Sequence, residues 1–192
     1  MNRRIALKQL GLITAGAALI PACVNKEVAK STSIALKNIQ VSGGQEAVLA
    51  EIAETLIPAT DMPGAKALNL QQFVLRMVDD CQPVESQKDF EMGFAEFEHA
   101  VDKKYSKSFD ELTAADRKVF LTELDATAKA EREKESMSAL SKFYSMTRRY
   151  TIQGFTSSEY VLTNVLPYNM IPGKFIGCVP IQDKNDIKTV IG

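Results

Sequence analysis

Apolar residues recur along most of the chain at the three- and four-residue spacing of an amphipathic helix. The first run follows Ser42 and Gln45, which stand three apart in the form of a capping box, and it ends at Pro58. A second helix is capped near Asn69 and closed by Pro83. The expected buried positions of the next three helices are Phe90, Phe94, Phe97 and Val101, then Val119, Phe120 and Leu124, then Met137, Leu140, Tyr144 and Thr147.

A last, shorter helix is predicted to begin near Ser157 or Ser158 and to end before Pro167. The alternation of apolar and polar residues that is typical of a strand is almost absent before residue 175. The pattern therefore predicts an all-α fold, a helical bundle of about five to six helices with an extended C-terminal tail. This helical domain is predicted to span residues 44–192.

The first 22 residues have the organisation of an export signal. A short basic segment precedes an apolar run, residues 11–22, that is too short to span a bilayer. Arg3 and Arg4, followed by Leu7 and Lys8, resemble the twin-arginine export consensus. Because that route carries folded proteins, we expect the chain either to bind a cofactor itself or to escort a partner that does.

Cys23 stands directly after the apolar run, in a sequence that resembles a bacterial lipobox. Lipidation of this cysteine would anchor the mature protein, because a diacylglyceryl group and an N-acyl chain together give stable membrane binding. The alternative is that Cys23 is incidental and that an ordinary signal peptidase cuts nearby. Residues 23–43 are predicted to form a flexible, lipidated tether, since they are polar and show little periodicity.

Composition and charge argue against one class of partner. Hydrophobic residues make up 45% of the chain, which is ordinary for a globular protein. Lysine and arginine number 23 against 24 acids, and without residues 1–22 the balance becomes 20 against 24, a net charge of −4. We therefore expect no nucleic acid partner, because nucleic-acid binding needs a basic surface for the phosphates.

Sequence motifs for catalysis and cofactor binding are missing. The ten glycines never fall as G-x-G-x-x-G, and no P-loop occurs. The single histidine, His99, lies on the polar side of the third helix, where we expect a surface or half-buried side chain rather than a base or a ligand. We therefore expect no catalytic, cofactor-binding or metal site in this chain.

Two cysteines, Cys81 and Cys178, remain if Cys23 is lipidated, and an exported protein meets an oxidising compartment. A disulfide between them would close a loop of roughly 100 residues, which the chain-entropy model equates with about 4–5 kcal/mol of stability. The alternative is two buried free thiols, and the sequence leaves both open.

Residues 53–65 read Ala-Glu-Thr-Leu-Ile-Pro-Ala-Thr-Asp-Met-Pro-Gly-Ala, and residues 154–159 read Gly-Phe-Thr-Ser-Ser-Glu. Together with the pattern Y-x-x-x-P-G-x-x-x-G-C-x-P at residues 168–180, they resemble the gluconate 2-dehydrogenase subunit 3 family over residues 45–181. The resemblance implies a non-catalytic small subunit. Its partner would be an FAD-dependent dehydrogenase large subunit of the glucose-methanol-choline type, which binds FAD and oxidises a sugar or polyol.

The resemblance also implies what this chain does for its partner. We expect it to bind the folded catalytic subunit, to escort it through the twin-arginine translocase, and to anchor it as a periplasmic, membrane-anchored bacterial lipoprotein. A cytochrome c is an expected electron acceptor of the complex. The alternative is a stand-alone periplasmic helical lipoprotein that acts as a binding module. A third interpretation, an enzyme in its own right, requires chemistry that one histidine and scattered acids do not supply.

Two segments are candidates for the contact with the large subunit. The loop at residues 58–65 is rich in proline and glycine and would lose little entropy on binding, although the same residues would also serve simply to turn the chain. The tail at residues 168–180 either packs on its own bundle or lies in a partner groove, and we favour the partner because Gly173 and Gly177 allow close backbone approach. The predicted contact residues are Pro58, Asp61, Pro63, Gly64, Tyr168, Pro172, Gly173, Phe175 and Pro180.

Overall fold

The structure is a computed structural model that describes residues 31–166. Its helices are α1 (Gly43–Leu56), α2 (Leu70–Cys81), α3 (Val84–Tyr105), α4 (Ala114–Glu133) and α5 (Ala139–Thr156), with a 3-10 turn at Phe109–Glu111 and a π-helical turn at Val161–Val165. No strand occurs between residues 31 and 166, so the all-α prediction is confirmed for this part. The predicted signal peptide and the predicted C-terminal tail lie outside the described residues.

Side-chain caps fix where several helices begin. At α1, the backbone N–H of Gln45 donates to Ser42 Oγ at 3.2 Å, and the N–H of Ser42 donates to Gln45 Oε1 at 3.0 Å. This reciprocal pair is the predicted capping box. The start of α2 at Asn69 is also as predicted, but Asn69 has a φ of 51° and its side chain makes no capping hydrogen bond.

The core is centred on α5, which packs against α2, α3 and α4. Phe143 of α5 lies among three phenylalanines of α3, with ring centroids 5.0 Å from Phe90, 4.7 Å from Phe94 and 5.6 Å from Phe97. These four side chains are at most 1% exposed. The predicted stripe of α3 therefore lies at the centre of the bundle.

The stripe predicted for α5 is confirmed only in part. Tyr144 and Thr147 are buried and Leu140 is partly buried. Phe143, which makes the central contact, was not among the predicted positions, and Met137 lies before the helix begins at Ala139.

The prediction for α4 is wrong at Val119, whose side chain is 51% exposed. Phe120 and Leu124 are buried as predicted, together with Leu121. Since successive helical residues are about 100° apart, Val119 lies about 200° from Leu121 and cannot share its face. The 3-10 turn that precedes α4 was not foreseen, and it buries Phe109 against Phe97.

The second half of the predicted tether, residues 32–42, packs onto the bundle, and we call it the strap. Its apolar side chains contribute to the core, Ile39 as a buried residue and Ile34, Leu36 and Val41 as partly buried ones. The folded body therefore includes these residues and begins before residue 44. Periodicity could not reveal this segment, because it forms no helix and its contacts are with distant residues.

Buried carboxylates hold the strap. Asp79 of α2 accepts hydrogen bonds from the backbone N–H groups of Lys37, Asn38 and Ile39, with shortest distances of 2.9, 2.6 and 3.0 Å. Burial opposes ionisation, but these N–H groups outweigh it and hold the pKa of Asp79 below its ordinary 3.8. Glu46 of α1 likewise accepts hydrogen bonds from the N–H and the hydroxyl of Ser33.

Candidate functional site

The predicted docking loop, residues 58–65, is organised by one carboxylate of α1. Glu54 accepts a hydrogen bond from the N–H of Ala59 at 3.1 Å and another from the N–H of Lys66 at 2.8 Å. A backbone bond from the N–H of Ala65 to the carbonyl of Ile57, at 3.0 Å, closes the base of the loop. The loop is therefore held at both ends, which is the arrangement expected of a preformed surface.

Gly64 allows the loop to lie close to Glu54. A Cβ at position 64 would stand 2.6 Å from the backbone nitrogen of Ala59 and 2.7 Å from Glu54 Oε2, closer than real Cβ contacts. No glycine among the described residues has a positive φ. Position 64 therefore requires glycine because there is no space for a Cβ atom, and not because the backbone has an unusual angle.

The four candidate residues of the loop divide into two groups. Pro58 and Asp61 are exposed, whereas Pro63 is half-buried and Gly64 is buried. Met62 between them is 38% exposed. Pro58, Asp61 and Met62 can thus meet a partner, while Gly64 supports the loop from the inside.

A second carboxylate, Glu51, links the loop to α4. It forms ion pairs with Lys66 after the loop and with Arg117 of α4. Arg117 also donates from Nε to the carbonyl of Phe109 at 3.0 Å and from Nη2 to the carbonyl of Asp110 at 2.6 Å. Sequence reasoning missed Glu51 and the role of Glu54, although Glu54 lies within the motif at residues 53–65.

The two family-like segments of the described chain meet in space. Phe155, from the segment at residues 154–159, packs against the small buried cluster of Ala53, Ala65 and Leu70. Gly154 makes this approach possible, because a Cβ there would stand 2.7 Å from Cδ1 of Phe73 in α2. Motifs that are about a hundred residues apart in sequence therefore pack against each other in the folded chain.

A hollow of about 560 Å³ lies beside this contact, and we call it the motif hollow; residues of the segment 154–159 line it, and none of the segment 53–65 does. On the side of α2 its lining is apolar, and on the other side it is mostly polar. The lining includes Leu68, Leu70 and Phe73, and opposite them Ser158, Tyr160 and Asn164. A hollow with an apolar side and a hydroxyl-rich side suits a partner segment that carries both kinds of group.

Several predicted residues fall outside the described part of the chain. The export residues Arg3, Arg4, Leu7 and Lys8, the lipidation residue Cys23, and the tail residues Tyr168, Pro172, Gly173, Phe175 and Pro180 are among them, and their roles stay predictions. Cys178 also lies outside, so its disulfide with Cys81 stays a prediction. Cys81 itself is exposed, and the alternative of two buried thiols is therefore wrong for this residue.

A cluster of ligating side chains would indicate a metal site, and a long apolar helix would indicate a membrane span. His99 is exposed, as predicted. Between residues 31 and 166, no three His, Cys, Asp or Glu side chains lie together in a way that could hold a metal ion. Within the same range, no helix has the length and the apolar character that crossing a bilayer requires.

A second groove, of about 650 Å³, lies between α4 and α5, and we call it the basic groove. Its charged lining residues are Asp125, Lys129, Arg132, Arg148 and Arg149. Arg148 Nε lies 3.7 Å from Asp125 Oδ1, and Arg132 donates to Ser145 Oγ at 3.2 Å.

Tyr144 also lines the basic groove and is only 3% exposed. Burial, and then the Asp125 carboxylate, raise the pKa of Tyr144 to about 12. Its hydroxyl therefore stays protonated at neutral pH and can donate a hydrogen bond. The sequence did not reveal this groove, because its cationic residues come from two helices and read as ordinary polar faces.

Comparison with known proteins gives one clear result. No curated protein and no solved structure matches the chain. The profile of one family, described as gluconate 2-dehydrogenase subunit 3, matches residues 44–173, which is more than half of the chain. This range contains both segments, residues 53–65 and 154–159, that pack against each other beside the motif hollow. The chain therefore belongs to the gluconate 2-dehydrogenase subunit 3 family.

Proposed function

We propose that this protein is the non-catalytic small subunit of an FAD-dependent dehydrogenase complex. The observation that carries the proposal is its membership of the gluconate 2-dehydrogenase subunit 3 family, whose name describes a subunit of a dehydrogenase. The large subunit would be a flavoprotein of the glucose-methanol-choline type that binds FAD and oxidises a sugar or polyol. Electrons would leave the complex through a cytochrome c.

The surface proposed to hold the large subunit comprises the exposed loop residues Pro58, Asp61 and Met62 together with the motif hollow. Three features support this assignment. The loop is fixed by Glu54 before any partner arrives, so binding would cost little loop entropy. Met62 offers exposed apolar area, and the neighbouring hollow offers a concave surface.

The tail at residues 168–180 follows closely on the residues that line the motif hollow. The described chain ends at Leu166, two residues beyond the lining residue Asn164. We propose that the tail extends the contact with the large subunit through Tyr168, Pro172, Gly173, Phe175 and Pro180. This proposal rests on their sequence alone.

Export and anchoring complete the proposed role. The twin-arginine signal at Arg3 and Arg4 would direct the chain, with the folded flavoprotein bound to it, to the translocase. Lipidation of Cys23 would then hold the complex at the periplasmic face of a membrane. A chain that carries an export signal for folded proteins, and that has no dinucleotide-binding motif of its own, is suited to escorting a cofactor-bearing partner.

Affinity purification from the native host tests the proposal directly. A tagged copy of the full chain should bring down one large protein with the absorbance spectrum of bound FAD, which mass spectrometry would identify as an oxidoreductase. A tagged chain that purifies without any flavoprotein would contradict the subunit role and would favour the stand-alone binding module.

A matched pair of variants tests the proposed surface. Met62→Glu places a charge on the loop, and we expect at least a tenfold loss of the co-purified flavoprotein. Met92→Glu makes the same change at a methionine of α3 that is 54% exposed and lies outside both motifs, and it should leave the yield unchanged. Equal yields from the two variants would show that the loop is not the docking surface.

A further inference from the structure

The basic groove carries a charge opposite to that of the body around it. Residues 31–166 hold 15 lysines and arginines against 21 aspartates and glutamates, a net charge of −6. The groove is lined by four cationic side chains and one carboxylate. Placing like charges on two neighbouring helices costs electrostatic free energy, and a bound anion would offset that cost.

Only one of the four cations is balanced within the groove. Asp125 lies 3.7 Å from Arg148, and none of the ion pairs formed within residues 31–166 involves Lys129, Arg132 or Arg149. Arg132 bonds to the neutral hydroxyl of Ser145, which leaves its charge uncompensated. Three of the cationic side chains that line the groove therefore have no ion-pair partner among residues 31–166, and Asp125 is the one carboxylate in the lining.

The size and the donors of the groove define the ligand chemistry. Its volume of about 650 Å³ is comparable to that of small-molecule sites, and it exceeds what a single inorganic ion needs. Guanidinium groups bind two oxygens of one phosphate in a forked arrangement, and a lysine adds a point charge.

We propose that the basic groove binds the phosphate group of a phosphate ester, with Lys129, Arg132 and Arg149 as its cationic contacts. The ester is either a soluble small molecule or the headgroup of a phospholipid. The chemistry that the groove would recognise is the same in both cases. This site is separate from the motif hollow and does not depend on the proposed dehydrogenase partner.

Calorimetric titration of the purified full chain tests the site. The probes are glycerol 3-phosphate and dihexanoyl phosphatidylglycerol, the latter kept below the concentration at which it forms micelles. The test variant is Lys129→Gln with Arg149→Gln, two exposed positions without an ion pair in the described structure. The control is Lys103→Gln with Lys118→Gln, which removes the same charge from exposed positions outside the groove.

We expect saturable binding. The test variant should raise the dissociation constant at least tenfold, and the control should change it by less than twofold. Binding of both probes would support a soluble ester as the source, and binding of the lipid alone would support a headgroup. Absence of saturable binding, or equal weakening by test and control variants, would overturn the proposal. If the double variant lost its helical circular dichroism signal, the same titrations would be made with the single variant Lys129→Gln, and Lys118→Gln would be its control.

Discussion

The carboxylate of Glu54 occupies the space that a side chain at position 64 would need. It lies against Gly64 and accepts hydrogen bonds from the backbone N–H groups of Ala59 and Lys66, one on each side of the loop. The glutamate and the glycine are ten residues apart within one family motif. The acid in α1 and the glycine in the following loop therefore fit each other: a larger residue at position 64 would displace the carboxylate that fixes the loop.

Gly64→Ala should destabilise the protein by about 1–3 kcal/mol, because the added methyl group must displace either the carboxylate or the backbone of Ala59. Urea denaturation followed by circular dichroism measures the change. Gly44→Ala is the matched control, since a Cβ there would meet only Ser42 Oγ at 3.8 Å. The control should be neutral or slightly stabilising, and an equal loss in both variants would contradict the steric explanation.

Asp79→Asn should weaken attachment of the strap and lower the free energy of unfolding by about 2 kcal/mol at pH 7. The pKa of Asp79 is lowered in the folded state, so its contribution is present above about pH 4 and is lost as the pH falls through the folded-state pKa. The difference between wild type and variant should therefore shrink below about pH 4.

Urea denaturation at a series of pH values checks this dependence on Asp79. Asp80→Asn removes the same charge from the next residue, which is exposed, and it should change stability by less than about 0.5 kcal/mol. A stability difference for Asp79→Asn that stayed constant down to pH 2 would argue against the carboxylate as the group that holds the strap.

Replacing Arg3 and Arg4 by lysine should leave both this chain and the dehydrogenase activity of its partner in the cytoplasm, because the receptor reads the guanidinium pair rather than positive charge alone. Cell fractionation with an activity assay measures the result. Lys26→Arg with Lys30→Arg, which lie beyond the signal, should have no effect. Full periplasmic activity in the double lysine variant would contradict escort through the twin-arginine route.

Cys23→Ala should move the protein from the membrane fraction to the soluble periplasmic fraction without abolishing export, because it removes the proposed lipid attachment. Immunoblotting of the separated fractions detects the shift. Cys81→Ala changes a cysteine that is exposed at the end of α2, and it should leave the protein with the membranes. Retention of the Cys23→Ala variant on membranes would show that another element provides the anchor.

The sequence was sufficient for features that depend on local pattern. Capping at Ser42 and the buried stripe of α3 follow from short-range spacing, and the structure confirms them. The strap was missed because its hydrogen bonds are to Asp79, which is about 40 residues away in the sequence. The error at Val119 has a different origin, since an apolar residue beside a buried stripe is not itself in the stripe.

The candidate sites were likewise predictable where they depend on neighbouring residues in the sequence, and not where they depend on contacts between distant ones. The loop at residues 58–65 was recognised from proline, glycine and a family motif, but the role of Glu54 beneath it depends on three-dimensional contact. The basic groove was not recognised at all. Its residues have ordinary helical spacing on α4 and α5, and only the packing of the two helices brings their charges to one place.

The strap sets how far the body can stand from a lipidated Cys23. With only residues 24–31 left between Cys23 and the strap, a fully extended backbone spans roughly 30 Å. A tether running to residue 43, as the sequence alone predicted, would span roughly 70 Å. If Cys23 is lipidated, the start of the strap would thus lie within about one bilayer thickness of the lipid surface, and a bound dehydrogenase would be held beside electron acceptors at that surface.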